Sequence, residues 1–315
     1  MPLQIFRPYA QGRLPPKQSR LILLSDMPHL AAVFFFDTDK AGSCADSFRA
    51  GAQFNDNCLN FFYFFSCFDI ISRMVIEFGV AKTGRYDFEE SDETTEIIER
   101  PMGGQTVVYC SGRRNGLKSK ILSSVIANKV LEKTAESFKD SSAIKSVSDQ
   151  INREYAGEVS GNFCMFSADF ETETIVVSRC TDLPVFYYQH SQFNAWDTKT
   201  LRLGSGKGIH PTITEIPIET GTVIVMLSEG ILHAGKNSGE KTDITDLILN
   251  VIEDSEEMSA DQIADIFLRS ASALDENKPQ DDMTAIVIKV SNNRAAHTRR
   301  MLVTSPVPRY RSIFD

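Results

Sequence analysis

Four stretches of the chain hold residue types capable of metal or phosphate chemistry. EESDETTE (89–96), LSEGI (227–231) and PQDDMT (279–284) set carboxylates beside strand-like runs, and YCSGRRNGLKSK (109–120) leads an apolar run through glycines and arginines into a helical pattern. Carboxylates at strand ends are held by a rigid sheet while reaching solvent, which suits a hard divalent cation that takes oxygen ligands and keeps waters. A strand, a glycine-bracketed turn and a helix can also cradle an anion, because the helix N-terminus presents free N–H groups. Singly, each stretch has a plain explanation: a solvated acidic loop for EESDETTE, an acidic pair before a strand for DD. Their order along the chain is more specific than any one of them.

The elements that must position these residues follow from periodicity. MVIEFGVAKT (74–83) alternates as a strand, and TVVYC (106–110) is a short run apolar on both faces. SKILSSVIANKVLEKTAESF (119–138) puts Ile121, Leu122, Val125, Val130 and Leu131 on a helical stripe, and SAIKSVSDQINREY (142–155) does so through Ile144, Val147, Ile151 and Tyr155. Strands are expected at 162–170, 173–179, 184–189, 222–228 and 284–290, with helices at 244–254 and 259–274 between the last two. Strands grouped at both ends around paired helices do not follow strict βαβ alternation. The expectation is a mixed α+β fold with largely antiparallel sheets and packed helices.

Composition narrows the function classes. The 315 residues are 42% hydrophobic and 24% charged, with a formal charge of −9, which argues against nucleic acid as a partner, since that work needs a basic surface. The six cysteines form no CxxC pair and the five histidines stand far apart, so zinc-ligand spacing is absent. Residues 1–73 are apolar without periodicity and are read as an irregular extension, with Met74 a candidate true start. LILLSDMPHLAAVFFF (21–36) is interrupted by Asp26, Pro28 and His29 and is shorter than the ~20 residues a bilayer needs; LNFFYFFSCFDIIS (59–72) is shorter still. A membrane span is therefore not expected. No segment has signal-peptide order, and the default location is cytoplasmic. Residues 292–315, basic and with two prolines, are read as a flexible tail.

The order of motifs from 74 to 291 resembles the metal-dependent PPM (protein phosphatase 2C) family, and within it the bacterial SpoIIE-like branch. The resemblance is carried by IEFGVAKT (76–83), SDETTEIIERP (91–101), GGQTVVYCSGRRNGLKSKILS (103–123), LSEGILHA (227–234) and ALDENKPQDDMTAIVIKV (273–290). It implies a four-layer sandwich, two sheets flanked by helices, and two Mg²⁺ or Mn²⁺ ions whose bridging water attacks a phosphoserine or phosphothreonine. The branch commonly dephosphorylates small anti-sigma-factor antagonists. Carried over by position, the metal ligands fall on Glu93, Glu229, Asp281 and its neighbour Asp282. The aspartate that bridges both ions in the family falls on Ser111, followed by the turn residue Gly112. Thus Asp281 is unchanged, Glu93 and Glu229 are longer acids, and Ser111 is no acid.

A hydroxyl is a poor ligand for a hard dication beside water, and a longer acid does not automatically restore a site that must hold to within ~0.5 Å. The expectation is a weak or inactive phosphatase, with three readings open: an enzyme using Glu93, Glu229 and Asp281; a pseudophosphatase that binds a phosphoprotein or regulatory partner; and a structural domain. Arg113 and Arg114 are candidate phosphate-binding residues, against solvated arginines on a turn. Asn115 before Gly116 suits a left-handed backbone, His233 reads as structural, and Trp196 as packing.

Overall fold

The computed structural model describes residues 74–88, 90–101, 103–236, 244–253, 255–292 and 301–304, and the backbone alone of Ser19–Ile22 (β1), Phe34–Asp37 (β2) and residues 244–245. The chain divides into two compact units, Met1–Ser72 and Arg73–Asp315. In the first, β1 and β2 pair antiparallel, so a stretch expected to be irregular contains strand; the run 59–72 lies outside the described residues, as does most of 21–36. The tail expected at 292–315 is described only at 292 and 301–304.

The second unit holds two antiparallel sheets. One runs β10 (Gln192–Trp196), β9 (Val185–Gln189), β12 (Val223–Leu227), β13 (Met283–Asn292), β3 (Met74–Thr83). The other runs β11 (Thr212–Pro217), β8 (Thr174–Cys180), β7 (Val159–Asp169), β5 (Gln105–Arg114), β4 (Thr94–Glu99), with β6 (Leu117–Lys118) turning back on β5. The sheets face each other across Val107, Phe166, Val177, Ile224, Ile286 and Ile288. The outer face of the β5 sheet carries α1 (Lys120–Ala135) and α2 (Asp140–Glu154). The outer face of the β13 sheet carries α3 (Glu229–Leu232), α4 (Ile244–Glu253) and α5 (Ala260–Leu274). This is the four-layer α+β sandwich. Strands covered on both faces need no polar side, which is why TVVYC and TAIVIKV read as unbroken apolar runs.

Alternation along the central strands fixes which residues reach the space between the sheets. On β5, Val108 and Cys110 face the helices while Val107 and Tyr109 face the other sheet; Ser111 and Arg113 continue the Tyr109 side. On β13, Ile286 and Ile288 face inward and Ala285 and Val287 face the helices, which leaves Thr284 inward. The helical stripe expected on α1 needs one change: Ile121 is 75% exposed, and Ile126 takes its place in the core.

Candidate functional site

The expected glycine turn at Ser111–Gly112 is a strand. β5 runs on through Arg114, with Ser111 opposite Asn162 and Gly112 opposite Gly161 on β7. The chain reverses four residues after Ser111, at Asn115 and Gly116, both with positive φ (50° and 86°), the two-residue hairpin geometry that Asn-Gly favours. Gly112 is required for a different reason: a Cβ there would lie 2.7 Å from the Ser123 backbone nitrogen and 2.8 Å from the Leu122 carbonyl carbon of α1. Helix α1 thus rests directly on the strand. Ser123 fastens the contact, its Oγ accepting from Gly112 N (2.7 Å) and donating to the Asp92 carbonyl (2.6 Å). Asp92 in turn accepts from Lys120 N at the start of α1 (3.1 Å).

Glu93, expected at a solvent-reaching loop edge, is fully buried. Its Oε1 accepts from Tyr109 Oη (2.8 Å) on one sheet and its Oε2 from Thr284 Oγ1 (2.6 Å) on the other. Burial pushes its carboxyl up to about 7, against the pull of the Lys118 ammonium and the two hydroxyl donors. Asp282 is also buried, and its carboxylate accepts from Asp92 N (2.9 Å) and Arg85 N (3.2 Å); burial raises its pKa in spite of those bonds. It braces the loop before β4. Asp281 is more open and accepts from Lys118 Nζ at 2.7 Å.

Glu229 opens α3, directly after β12. Its backbone is set by Ser228, whose Oγ accepts from Thr284 N (2.8 Å), and by Gly230, where a Cβ would lie 2.1 Å from the Asp282 carbonyl oxygen. Its side chain accepts from Arg113 Nη2 and from Asn162 Nδ2 (3.3 Å), with Arg202 Nη2 3.8 Å away. Arg202 is itself paired with Asp182 (3.0 Å) and donates to Asn162 Oδ1 (3.1 Å).

The β5–β6 hairpin delivers two cations to this cluster. Arg113 and Lys118 stand opposite each other in its register, so both side chains leave the same face. Arg113 goes to Glu229; Lys118 goes to Asp281 and lies 3.7 Å from Glu93 Oε1. Between them in depth sits Ser111, with Tyr109 and its bond to Glu93 on one side and Arg113 and its bond to Glu229 on the other. The Ser111 hydroxyl is buried and has no hydrogen-bond partner among the described residues, and the same holds for Arg113 Nε.

The structure therefore brings Glu93, Ser111, Glu229, Asp281 and Asp282 to one end of the sandwich. Arg114 stands apart, exposed and paired with Glu158. His233 follows α3 as its C-cap, and Trp196 stacks on Tyr187 with ring centroids 4.6 Å apart. Cys110, Cys164 and Cys180 are buried free thiols. Sequence reasoning missed the supporting polar set: Lys118, Tyr109, Thr284, Asn162 and Arg202. The one available signal was spacing, since Tyr109, Ser111 and Arg113 share a strand face.

The family model for stage II sporulation protein E (SpoIIE) matches residues 110–291, more than half of the chain. No curated protein matches by sequence. The PP2C phosphatase domain of Bacillus subtilis SpoIIE with a fragment of its regulatory domain superposes with a TM-score of 0.60 at 15% identity, covering 70% of this chain and 64% of that one. The chain thus spans about two thirds of that structure. The phosphatase domain of the same protein without domain swapping gives 0.52 at 15% identity, over 75% of this chain and 98% of that one. The catalytic domain of the serine/threonine phosphatase PstP in complex with two manganese ions gives 0.52 at 11%, over 70% and 100%. At these identities the likeness is one of fold.

The residues present do not fit a two-metal centre. Asp281 and Glu229 hold a side-chain cation each, Glu93 is closed by two hydroxyls with the Lys118 ammonium beside it, and Asp282 is spent on backbone N–H groups. Between them stands a neutral hydroxyl. Among the described residues no group of three His, Cys, Asp or Glu side chains is placed to hold a metal ion.

Proposed function

The chain belongs to the SpoIIE family of PP2C-like serine/threonine phosphatase domains, and from that premise we propose that it is a pseudophosphatase, a regulatory domain that binds a phosphorylated protein at this end of the sandwich and does not turn it over. The observation that carries this reading is Ser111. It stands where the family resemblance puts a bridging aspartate, buried and uncharged, between the residues that hold Glu93 and Glu229. Activating water needs concentrated positive charge held by carboxylates, and the carboxylates at this groove are satisfied by the chain itself. Asp281 and Glu229, both partly open to solvent, remain at the mouth with Arg113 and Lys118.

The partner class comes from the family resemblance: a phosphoserine or phosphothreonine protein, with a small anti-sigma-factor antagonist the first candidate, in the cytoplasm. No helix among the described residues is long and apolar enough to cross a membrane. The test pairs turnover with binding. With manganese or magnesium present, p-nitrophenyl phosphate and a phosphoserine protein are expected to be hydrolysed no faster than in buffer. Calorimetry is expected to show tighter binding of the phosphorylated protein than of its unphosphorylated form. Turnover that is abolished by Asp281→Ala would overturn the reading in favour of a metal-dependent enzyme working with Glu93, Glu229 and Asp281.

A further inference from the structure

We propose that Lys118 and Arg113, supported by Lys82 and Lys120, are built-in counter-cations that take over the electrostatic work of the metal pair, so that this acidic cluster is stable without divalent ions and excludes them. The proposal rests on the family reading for the comparison with a metal pair, but its own support is the charge arrangement. Four carboxylates converge here: Glu93, Glu229, Asp281 and Asp282. Crowded together without cations, they would repel one another at an end of the fold where two of them, Glu93 and Asp282, are buried.

Two side-chain cations pair with them directly and two more stand beside them. Lys118 Nζ lies 2.7 Å from Asp281 and 3.7 Å from Glu93, so one ammonium sits between two carboxylates. Arg113 holds Glu229. Lys120 Nζ and Lys82 Nζ both donate to the Glu93 backbone carbonyl oxygen, at 2.7 and 3.2 Å, which puts two more ammoniums beside the cluster without pairing them to a carboxylate. Arg202, 3.8 Å from Glu229, is held more closely by Asp182 at 3.0 Å. Two dications, as in the PstP domain with its two manganese ions, carry the same total charge as these four side chains. The chain has replaced a bound charge by a covalently attached one.

The delivery is also specific. Lys118 and Arg113 come from facing positions of a hairpin whose turn has the residues that geometry demands, Asn115 and Gly116. The two side chains are 15% and 17% exposed, so their heads are mostly withdrawn from water. A divalent ion entering the cluster would have to displace Lys118 from both acids and would find Ser111 in place of a bridging ligand. Lys118 is a positioning residue in this account, acting on Glu93 and Asp281.

Thermal melting of the full chain, followed with added manganese and with EDTA, tests it. The wild type is expected to melt at the same temperature in millimolar manganese and in EDTA. Lys118→Met should melt several degrees lower in EDTA, and manganese should recover part of that loss along a saturating titration; adding Ser111→Asp should shift that titration to at least tenfold lower manganese. Lys118→Arg should melt near the wild type and ignore manganese. If Lys118→Met does not fold at all while Lys118→Arg does, the requirement for a cation stands. Saturable stabilisation of the wild type by manganese would overturn the proposal, as would Lys118→Met melting like the wild type in EDTA. Manganese binding without turnover sinks this inference and spares the pseudophosphatase; turnover sinks the latter.

Discussion

Glu93 shows how much one buried carboxyl can decide. Losing water costs its ionised form more than Lys118, Tyr109 and Thr284 return, and its pKa rises from 4.5 to about 7. A folded-state pKa above the unfolded value means that the folded protein binds the extra proton between those pH values. The contribution of Glu93 to stability is therefore fully present below about 4.5 and falls as pH rises to about 7, where it is lost. A shift of that size corresponds to about 3 kcal/mol. Glu93→Gln removes the titration, so urea unfolding from pH 4.5 to 8 should show the wild type losing roughly that much relative to the variant across the window. Parallel curves for the two proteins would refute the assignment. Lys82 runs the other way: burial first, then the neighbouring Lys120, lower its pKa to about 8, so its contribution rises only above that pH and does not confuse the Glu93 window.

At the scale of elements, the close seating of α1 on β5 is what lets a hairpin, a helix start and an acidic loop meet. Gly112→Ala would drive a Cβ into the backbone of Leu122 and Ser123. Gly161, its neighbour across the ladder, would meet the Ile126 and Cys110 side chains at 3.2 and 3.4 Å and the Gly112 Cα at an ordinary 3.5 Å, and side chains can shift where a helix backbone cannot. Gly112→Ala should cost about 1–3 kcal/mol and Gly161→Ala clearly less, measured as urea midpoints; the reverse order would mean that α1 is not held by this contact. This same contact explains what the sequence could and could not tell. Apolar runs such as TVVYC and TAIVIKV disclose strands because both faces are covered. SGRR hid the end of β5, because glycine and asparagine suggest a turn and helix-to-strand contact leaves no sign in one sequence. β10 and β11 are edge strands with mostly exposed positions, so their few apolar residues make only a broken signal. The acids were legible by type and order. Their cations were not, since Lys118 reaches Glu93 and Asp281 only through hairpin register, and Thr284 reaches Glu93 only because two sheets face each other.

At the scale of the whole molecule, Glu93 is a tie between layers. Tyr109 belongs to the β5 sheet and Thr284 to the β13 sheet, and both hydroxyls end on one carboxylate. Elsewhere the sheets meet through Ile, Val and Phe, whose contacts are non-directional and tolerate small sliding. A hydrogen-bonded bridge at the end of that interface adds a fixed register, and it holds the acidic cluster at the mouth in one arrangement. Removing either hydroxyl leaves a buried carboxyl oxygen short of a donor, at a cost of about 1–3 kcal/mol. Removing the second then costs a different amount, because the carboxyl has already lost its reason to sit there. A double-mutant cycle with Tyr109→Phe and Thr284→Val, read by urea unfolding, should therefore give a coupling of at least about 0.5 kcal/mol. Strict additivity would mean that each hydroxyl is satisfied independently and that the two sheets are joined here by apolar packing alone.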